Sequence, residues 1–261
     1  MANEPLRLEA TALLGMREIA FGEDLARAIA DASASRPPSI GDVLVVAQKV
    51  VSKAERRVRR LAEVTPTAAA RELAAKLDKD PRLVQVVLDE SETVIRAERG
   101  VLITRTRQGY VCANAGVDAS NVPGDDVVTL LPEDSDASAR RLRRELAELL
   151  GARPAVVIAD SFGRPWRVGQ VDVALGCAGL RPLDDRRGQS DALGRELSAT
   201  VLAVADEAAA AASLVRRKHG REAVVLLQGL ERFVTEEDGA GAAALLRPVA
   251  EDLFDARSDV G

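Results

Sequence analysis

Ala155-Val156-Val157-Ile158-Ala159-Asp160-Ser161-Phe162-Gly163-Arg164-Pro165-Trp166-Arg167-Val168-Gly169-Gln170 reads as a short buried strand, Ala155 to Ala159, running into a loop opened by an acid. A second stretch repeats the pattern. The strand-like run Tyr110 to Ala113 is followed by Asn114-Ala115-Gly116-Val117-Asp118-Ala119-Ser120-Asn121. A carboxylate at the end of a buried strand is well placed to hold a hard divalent cation, since oxygen ligands suit Mg²⁺ and Mn²⁺. Magnesium takes only one or two protein carboxylates and completes its shell with water and substrate phosphates. The loop after Asp160 adds Arg164, Arg167, a glycine and Trp166, which suit phosphate and ring binding. Taken singly, each loop is better read as a surface turn whose Asp hydrogen-bonds locally. Taken together, they point to a phosphate and metal site.

Outward from these loops, helices and strands alternate without a steady βαβ period, so pattern favours α+β over α/β. Leu25 to Ala32 is an amphipathic helix, closed by Pro37 and Pro38. Val43 to Ala47 is a buried strand. Thr65-Pro66 caps a helix through Leu77, and Asp80-Pro81 opens another. Thr93 to Ala97 and Val101 to Thr106 are strands around a turn at Glu98-Arg99-Gly100. Asp136 to Leu150 is a helix that stops at Gly151. Gly188 to Ala212 contains a long alanine-rich helix, Ala223 to Leu227 is a last buried strand, and Gly241 to Leu246 starts a helix. The chain reads as one domain over 1–261, and the acidic stretch Pro132 to Asp136 is the junction if it has two halves.

The 261 residues, 47% hydrophobic, can bury a substantial core. A net charge of −5 with interspersed signs gives no basic face for nucleic acid. Cys112 and Cys177 cannot make a disulfide framework or a cysteine zinc site and read as small core residues. No signal peptide and no membrane span are legible, so the expected location is cytoplasmic. The one histidine, His219, lies among Arg216, Arg217, Lys218 and Arg221, where cations spoil it as a triad base.

No P-loop exists, because no Gly-Lys pair occurs. Gly239 to Ala244 fits a dinucleotide fingerprint on paper. It follows Glu236-Glu237-Asp238, whose charges repel pyrophosphate, so it reads as a helix start. Gln48, Lys49 and Lys53 follow the first buried strand; lysine suits phosphate oxygens, although alone the segment reads as a solvated amphipathic turn with Val50 and Val51 inward. Phe162 and Trp166, two of six aromatics, serve equally well for packing or for stacking on a planar ring.

These loops resemble those of the coenzyme F-420 gamma-glutamyl ligases. The resemblance runs through Gly41 to Lys53, Gly100 to Ile103, Leu131 to Asp134, Asp172 to Gly176, Asp191 to Thr200 and Ala205 to Glu207, in one order over nearly the whole chain. It implies a mixed, largely antiparallel α+β fold assembled as an intertwined homodimer. It implies Asp118 and Asp160 as metal ligands with Ser161 as a further ligand. Gln48, Lys49, Lys53 and Asn121 match nucleotide contacts, and Met16, Arg17, Glu18 and Ile19 match a nucleotide contact made mostly through backbone. Two departures stand out. Arg56 occupies a position where family members commonly carry Gly, and Arg216 to Glu222 is more basic than the family stretch that touches phosphate and metal. The flavin-binding carboxyl-terminal domain of some members is not expected in a chain ending at Gly261.

The chemistry so implied joins L-glutamate to the deazaflavin F-420-0. GTP phosphorylates the terminal carboxylate, and the amine of glutamate attacks the acyl phosphate. Two ions, Mg²⁺ or Mn²⁺, with K⁺ also implied, neutralise the meeting anions. Lys53 and Arg164 are expected to neutralise phosphate or substrate carboxylate. Two other readings use the same residues: a metal-dependent phosphotransferase or phosphatase, and a deazaflavin-binding protein without catalysis, against which the intact Asp118 and Asp160 argue.

Overall fold

The computed structural model describes residues 6–119, 126–217, 220 and 222–252. Asn121, Lys218, His219 and Arg221 lie outside the described residues.

In chain order the elements are β1 (Glu9–Ala12), α1 (Leu25–Ala32), β2 (Val43–Ala47), α2 (Gln48–Ala54), β3 (Val58–Arg60), α3 (Ala68–Leu77), α4 (Pro81–Asp89), β4 (Ser91–Glu98), β5 (Val101–Thr106), β6 (Val111–Ala113) and β7 (Val127–Thr129). Then come α5 (Ser135–Leu150), β8 (Ala155–Arg164), β9 (Arg167–Ala178), β10 (Asp184–Asp185), β11 (Val201–Leu202), α6 (Val204–Ser213) and β12 (Val224–Gln228).

The main body is a five-stranded sheet in the order β1-β12-β2-β8-β9. Only β2 and β8 run parallel; the other neighbours are antiparallel. Its central strands are apolar without alternation because helices cover both faces. The period of two along each strand then divides one run between two cores. Leu44, Val46, Val156 and Ile158 pack with Ile29 of α1 and Leu146 of α5. Val43, Val45, Val157 and Leu227 pack with Ala205 and Ala209 of α6. Fully burying one such aliphatic side chain is worth about 1.5–3 kcal/mol. The mixed α+β class with largely antiparallel sheets therefore matches the sequence reading.

Residues 58–131 form a lobe with its own core around Leu61, Val84, Leu102 and Val128. It holds the β4-β5-β6 meander, the β3–β7 pair and helices α3 and α4. The lobe leaves and rejoins the body at one place. Leu130 N–H donates to the Arg57 carbonyl at 3.0 Å, and the Ser52 hydroxyl donates to the Leu130 carbonyl at 2.6 Å. The stretch 132–136 is where the chain passes from the lobe into α5, so the five-stranded sheet takes strands from before and after it.

Capping explains most helix ends. Asp24 accepts from Arg27 N–H at 2.9 Å, Asp80 from Arg82 N–H at 2.8 Å ahead of Pro81, and Asp134 from Ala137 N–H at 2.9 Å. Helix α5 ends at Gly151 with φ +67°, the left-handed exit that glycine allows. Two expectations shift. Helix α3 is capped by Thr67, which accepts from Ala70 N–H, so Thr65 and Pro66 precede it. The long helix expected within 188–212 begins only at Val204. Asp191 takes the N–H groups of Leu193 and Arg195, and Gly188 and Gly194 are left-handed, which makes that segment a turn.

Arg56 leaves α2 with φ +58°, a left-handed value that glycine would take without strain. Its guanidinium lies over Gly22, where an added Cβ would stand 2.5 Å from Arg56 Nε. Relief of the left-handed strain exceeds the entropy cost of glycine by about 0.5–1 kcal/mol. Arg56→Gly is therefore expected to raise the melting temperature by roughly 1–4 °C. A lower melting temperature would show that guanidinium packing outweighs the strain.

Candidate active site

Helix α2 follows β2 without a loop, and its residues four apart share a side. Lys49 and Lys53 are such a pair. Lys49 Nζ meets Asp118 Oδ2 at 2.7 Å. Lys53, its side chain only 4% exposed, pairs with Glu18, which brings the amino-terminal segment and α2 together. Met16 and Ile19 bury their side chains in the body core, leaving backbone as what they can offer a ligand. Arg17 pairs with Glu23. Gln48 is turned inward, where its amide nitrogen donates to Ser52 Oγ at 2.5 Å and to the Leu130 carbonyl at 3.1 Å.

Asp118 comes from the lobe. Asn114, Ala115 and Gly116 are successive left-handed residues, with φ +52°, +53° and +70°, that turn the chain sharply after β6. Asp118 is then pinned to Thr129: its N–H donates to the Thr129 carbonyl at 3.1 Å, and Thr129 N–H returns a bond at 2.8 Å. This is the strand-end setting expected for it.

Asp160 differs from expectation. It does not open a loop; β8 continues through it to Arg164 and pairs with β9 as a long hairpin. The polar and glycine residues that suggested a loop are an extended ribbon tip, largely exposed from Gly163 to Gln170. The carboxylate of Asp160 is pushed up to about 6, chiefly by burial and then by the charges of Asp118 and Asp172, while Ser161 N–H and Lys49 oppose the rise. Asp118 and Asp160, from lobe and body, therefore act on one another. Burial, together with the nearby Asp160 charge, also pushes the Cys112 thiol up to about 12, leaving it inert.

Two further residues belong to this cluster: Asp172, which opens a stretch noted only for its resemblance, and Arg216, which opens the basic stretch compared with the family segment that touches phosphate and metal. Ser161 Oγ donates to Asp172 Oδ1 at 2.5 Å across the hairpin. Asp172 Oδ2 accepts from Arg216 Nη1 at 2.8 Å. The other donors of Arg216, Nε and Nη2, are buried with no hydrogen-bond partner among the described residues. Burial lowers the Arg216 pKa, which the charges of Asp172 and Asp160 oppose. A plain two-residue turn at Pro165-Trp166 would set Ser161 opposite Gln170; an irregularity between Gly163 and Arg164 shifts the register by two and brings Ser161 opposite Asp172, which the sequence does not show. Of the basic stretch, Arg217 is spent on Glu222.

Other predicted residues separate from the cluster. Arg164 is exposed on the ribbon and donates to the Val168 carbonyl at 2.8 Å, four residues and about 13 Å along β8 from Asp160. Phe162 packs edge-on against Tyr110, with ring centroids 6.4 Å apart, so packing is its role. Trp166 is 72% exposed. The amides at the start of the Gly239 to Ala244 stretch are occupied: Ala242 and Ala243 N–H donate to the buried Asp136 carboxylate at 2.7 and 3.0 Å. That leaves no cradle there for pyrophosphate.

The donor chemistry at Asp118, Asp160 and Ser161 is all oxygen, and a buried carboxyl held up by neighbouring negative charge, as Asp160 is, suits a hard cation. No group of three His, Cys, Asp or Glu that would enclose a metal by itself occurs among the described residues. Such sparse ligation fits an ion completed by water and phosphate.

The family profile described as F420-0:Gamma-glutamyl ligase matches residues 14–229. A protein of Methanopyrus kandleri named coenzyme F420:L-glutamate ligase is 45% identical over 256 residues, covering 96% of this chain and 96% of its own. Proteins of the same name from Methanothermobacter thermautotrophicus and Haloarcula marismortui are 43% and 40% identical. They cover 92% and 94% of this chain, and 96% and 95% of their own lengths.

Proposed function

Because the chain belongs to the F420-0:gamma-glutamyl ligase family, we propose that it is a coenzyme F420:L-glutamate ligase, an enzyme that forms a C–N bond in coenzyme F420 biosynthesis. The observation that carries this reading is the meeting of Asp118 from the lobe with Asp160 from the body, beside Lys49 and close to a second ion pair at Lys53.

Amide formation in water needs an activated carboxylate. GTP supplies the phosphoryl group, which passes to the terminal carboxylate of F420-0. The α-amine of L-glutamate then attacks the acyl carbon, phosphate leaves, and the amine proton passes to solvent. Mg²⁺ or Mn²⁺, with K⁺ as a helper ion, supplies charge neutralisation between the carboxylate and the triphosphate. Asp118, Asp160 and Ser161 would hold the ions. Successive strand residues face opposite sides, so Asp160 and Ser161 suit two ions better than joint chelation of one. Lys49 and Lys53 exchange their carboxylate partners for phosphate oxygens as the nucleotide enters over the backbone of Met16, Arg17, Glu18 and Ile19. Gln48 supports α2 from beneath, Asn121 completes the nucleotide contacts, and Arg164 meets ligand only from the outer end of the ribbon.

The test is incubation with F420-0, L-glutamate, GTP and Mn²⁺, with product masses read. One GDP and one phosphate per glutamate added is expected. Nucleotide hydrolysis that ignores omission of both F420-0 and glutamate would favour a phosphatase. Lys53→Ala is expected to raise the apparent KM for GTP at least 10-fold, on the order of 1.4 kcal/mol.

A homodimer fits the exposed Trp166 and Val168 at the ribbon tip, which form an apolar end suited to a second copy. Trp166 is the only tryptophan, so its emission reports on the ribbon. It is expected to change on adding GTP or F420-0. Emission that responds to protein dilution and to neither ligand would make the ribbon purely a subunit contact.

A further inference from the structure

We propose that Asp172 and Arg216 form a positioning pair that sets the Ser161 hydroxyl for its divalent ion, an inference that rests on the metal role of Ser161 above. Three observations carry it. Asp172 is 4% exposed, so its charge needs partners, and it has two: Ser161 Oγ at 2.5 Å and Arg216 Nη1 at 2.8 Å. The two bonds use different carboxylate oxygens, so the plane of Asp172 is held from both ends. The backbone register places Ser161 directly opposite Asp172 in the antiparallel ribbon, so side-chain and main-chain constraints agree.

A serine hydroxyl has one proton and two lone pairs. With its proton committed to Asp172, Ser161 turns its lone pairs away from Asp172 and holds them there. An unconstrained hydroxyl would rotate and present its proton to the cation for part of the time. Donation to a carboxylate also enriches the electron density on Oγ. This is the role that carboxylates play behind ligating histidines, where losing the outer partner costs 10–100-fold in metal affinity. Arg216 supplies the positive charge that partners the buried Asp172 carboxylate and braces its second oxygen. Asn at position 172 cannot serve both neighbours. Its amide nitrogen would have to face either the guanidinium or the Ser161 hydroxyl, and in the first case two donors oppose each other.

The test is Mn²⁺ binding to nucleotide-free protein, read by electron paramagnetic resonance of the free ion. It uses the parent, Asp172→Asn, Ser161→Ala, their double variant and Asp160→Asn. Asp172→Asn is expected to weaken one class of Mn²⁺ sites 10–100-fold. In the Ser161→Ala background the same change is expected to add less than 3-fold, since an effect exerted through Ser161 disappears with it. Additive losses would overturn the inference, as would unchanged affinity in Asp172→Asn while Asp160→Asn loses binding. Loss in neither would overturn the metal assignment and the inference with it. If Asp172→Asn does not fold, Arg216→Lys gives the same reading. It keeps a charge but cannot brace the carboxylate in the same geometry, and it is expected to weaken binding 3–10-fold in the parent and not in Ser161→Ala.

Discussion

The Asp160→Asn protein is expected to lose turnover roughly a thousand-fold while melting, free of metal, at a higher temperature than the parent at pH 8. Loss of a group that holds a catalytic cation removes several kcal/mol of transition-state stabilisation, which sets the turnover estimate. The stability gain follows from linkage. The Asp160 carboxyl lies near 6 in the folded chain against 3.8 ordinarily, so the folded state binds its proton more tightly than the unfolded state does. The stability it contributes is complete below pH 4 and is lost as pH rises through 6. At pH 8 the metal-free parent carries the whole deficit, and Asn, which does not titrate, carries none. A shift of about 2 units corresponds to about 3 kcal/mol at full effect. Solvent still reaches part of the Asp160 side chain, which reduces this to about 1–2 kcal/mol, or roughly 2–8 °C. Melts of chelator-treated protein at pH 4.5 and 8 check it: the gap between variant and parent widens from the lower pH to the higher. Mn²⁺ should then raise the melting temperature of the parent and do much less for the variant. Equal gaps at both pH values, or near-normal turnover at limiting metal, would overturn the assignment.

Arg143→Met is expected to cost about 3–5 kcal/mol and to lower the melting temperature by about 10 °C or more, while the surviving folded protein keeps its turnover. Arg143 lies on α5 and is 1% exposed in its side chain. It donates to the carbonyls of Pro154, Thr235 and Glu236 at 3.2, 2.7 and 3.0 Å and to Asp238 at 2.7 Å. Methionine fills much of the volume but removes the donor to the Pro154 and Thr235 carbonyls, while Arg153 still reaches the Glu236 carbonyl at 3.1 Å and Asp238 at 3.0 Å. Gly179 is part of the same arrangement: a Cβ there would fall 2.3 Å from Arg143 Cζ, so the guanidinium lies flat on its backbone. A folded Arg143→Met protein melting within 2 °C of the parent would show that water replaces the guanidinium.

Short-range chemistry was the legible part of the fold. Asp24, Asp80 and Asp134 cap their helices through their own side chains, and the apolar run Val43 to Val46 is buried whichever face it presents. What escaped depends on pairing partners. A run such as Ser161 to Gln170, polar and glycine-bearing, looks like a loop until β9 is laid beside it; the ladder from Val156 to Arg164 then makes it a ribbon. The same cause hid the roles of Asp172 and Arg216. Arg216 is 44 residues beyond Asp172, and only the fold joins them. Asp118 and Asp160 were legible because each ends or continues an apolar run. Asn121, and Lys218, His219 and Arg221 of the basic stretch, lie outside the described residues.

The chain of the lobe 58–131 leaves and rejoins the body near Arg57 and Leu130, the lobe packs on the body again where Tyr110 meets Phe162 and Leu175, and it carries Asp118, whose charge acts on Asp160. With a buried core of its own, it is equipped to melt as a separate cooperative unit. In the metal-free protein, repulsion between Asp118 and Asp160 works against keeping lobe and body together, and the Lys49–Asp118 pair works for it. An ion bound by both acids reverses the first term. Calorimetry should then show a broad or two-step transition without metal and one sharper transition with it. The same coupling means that a nucleotide held across the two units tightens metal binding, and metal tightens nucleotide binding, by equal factors.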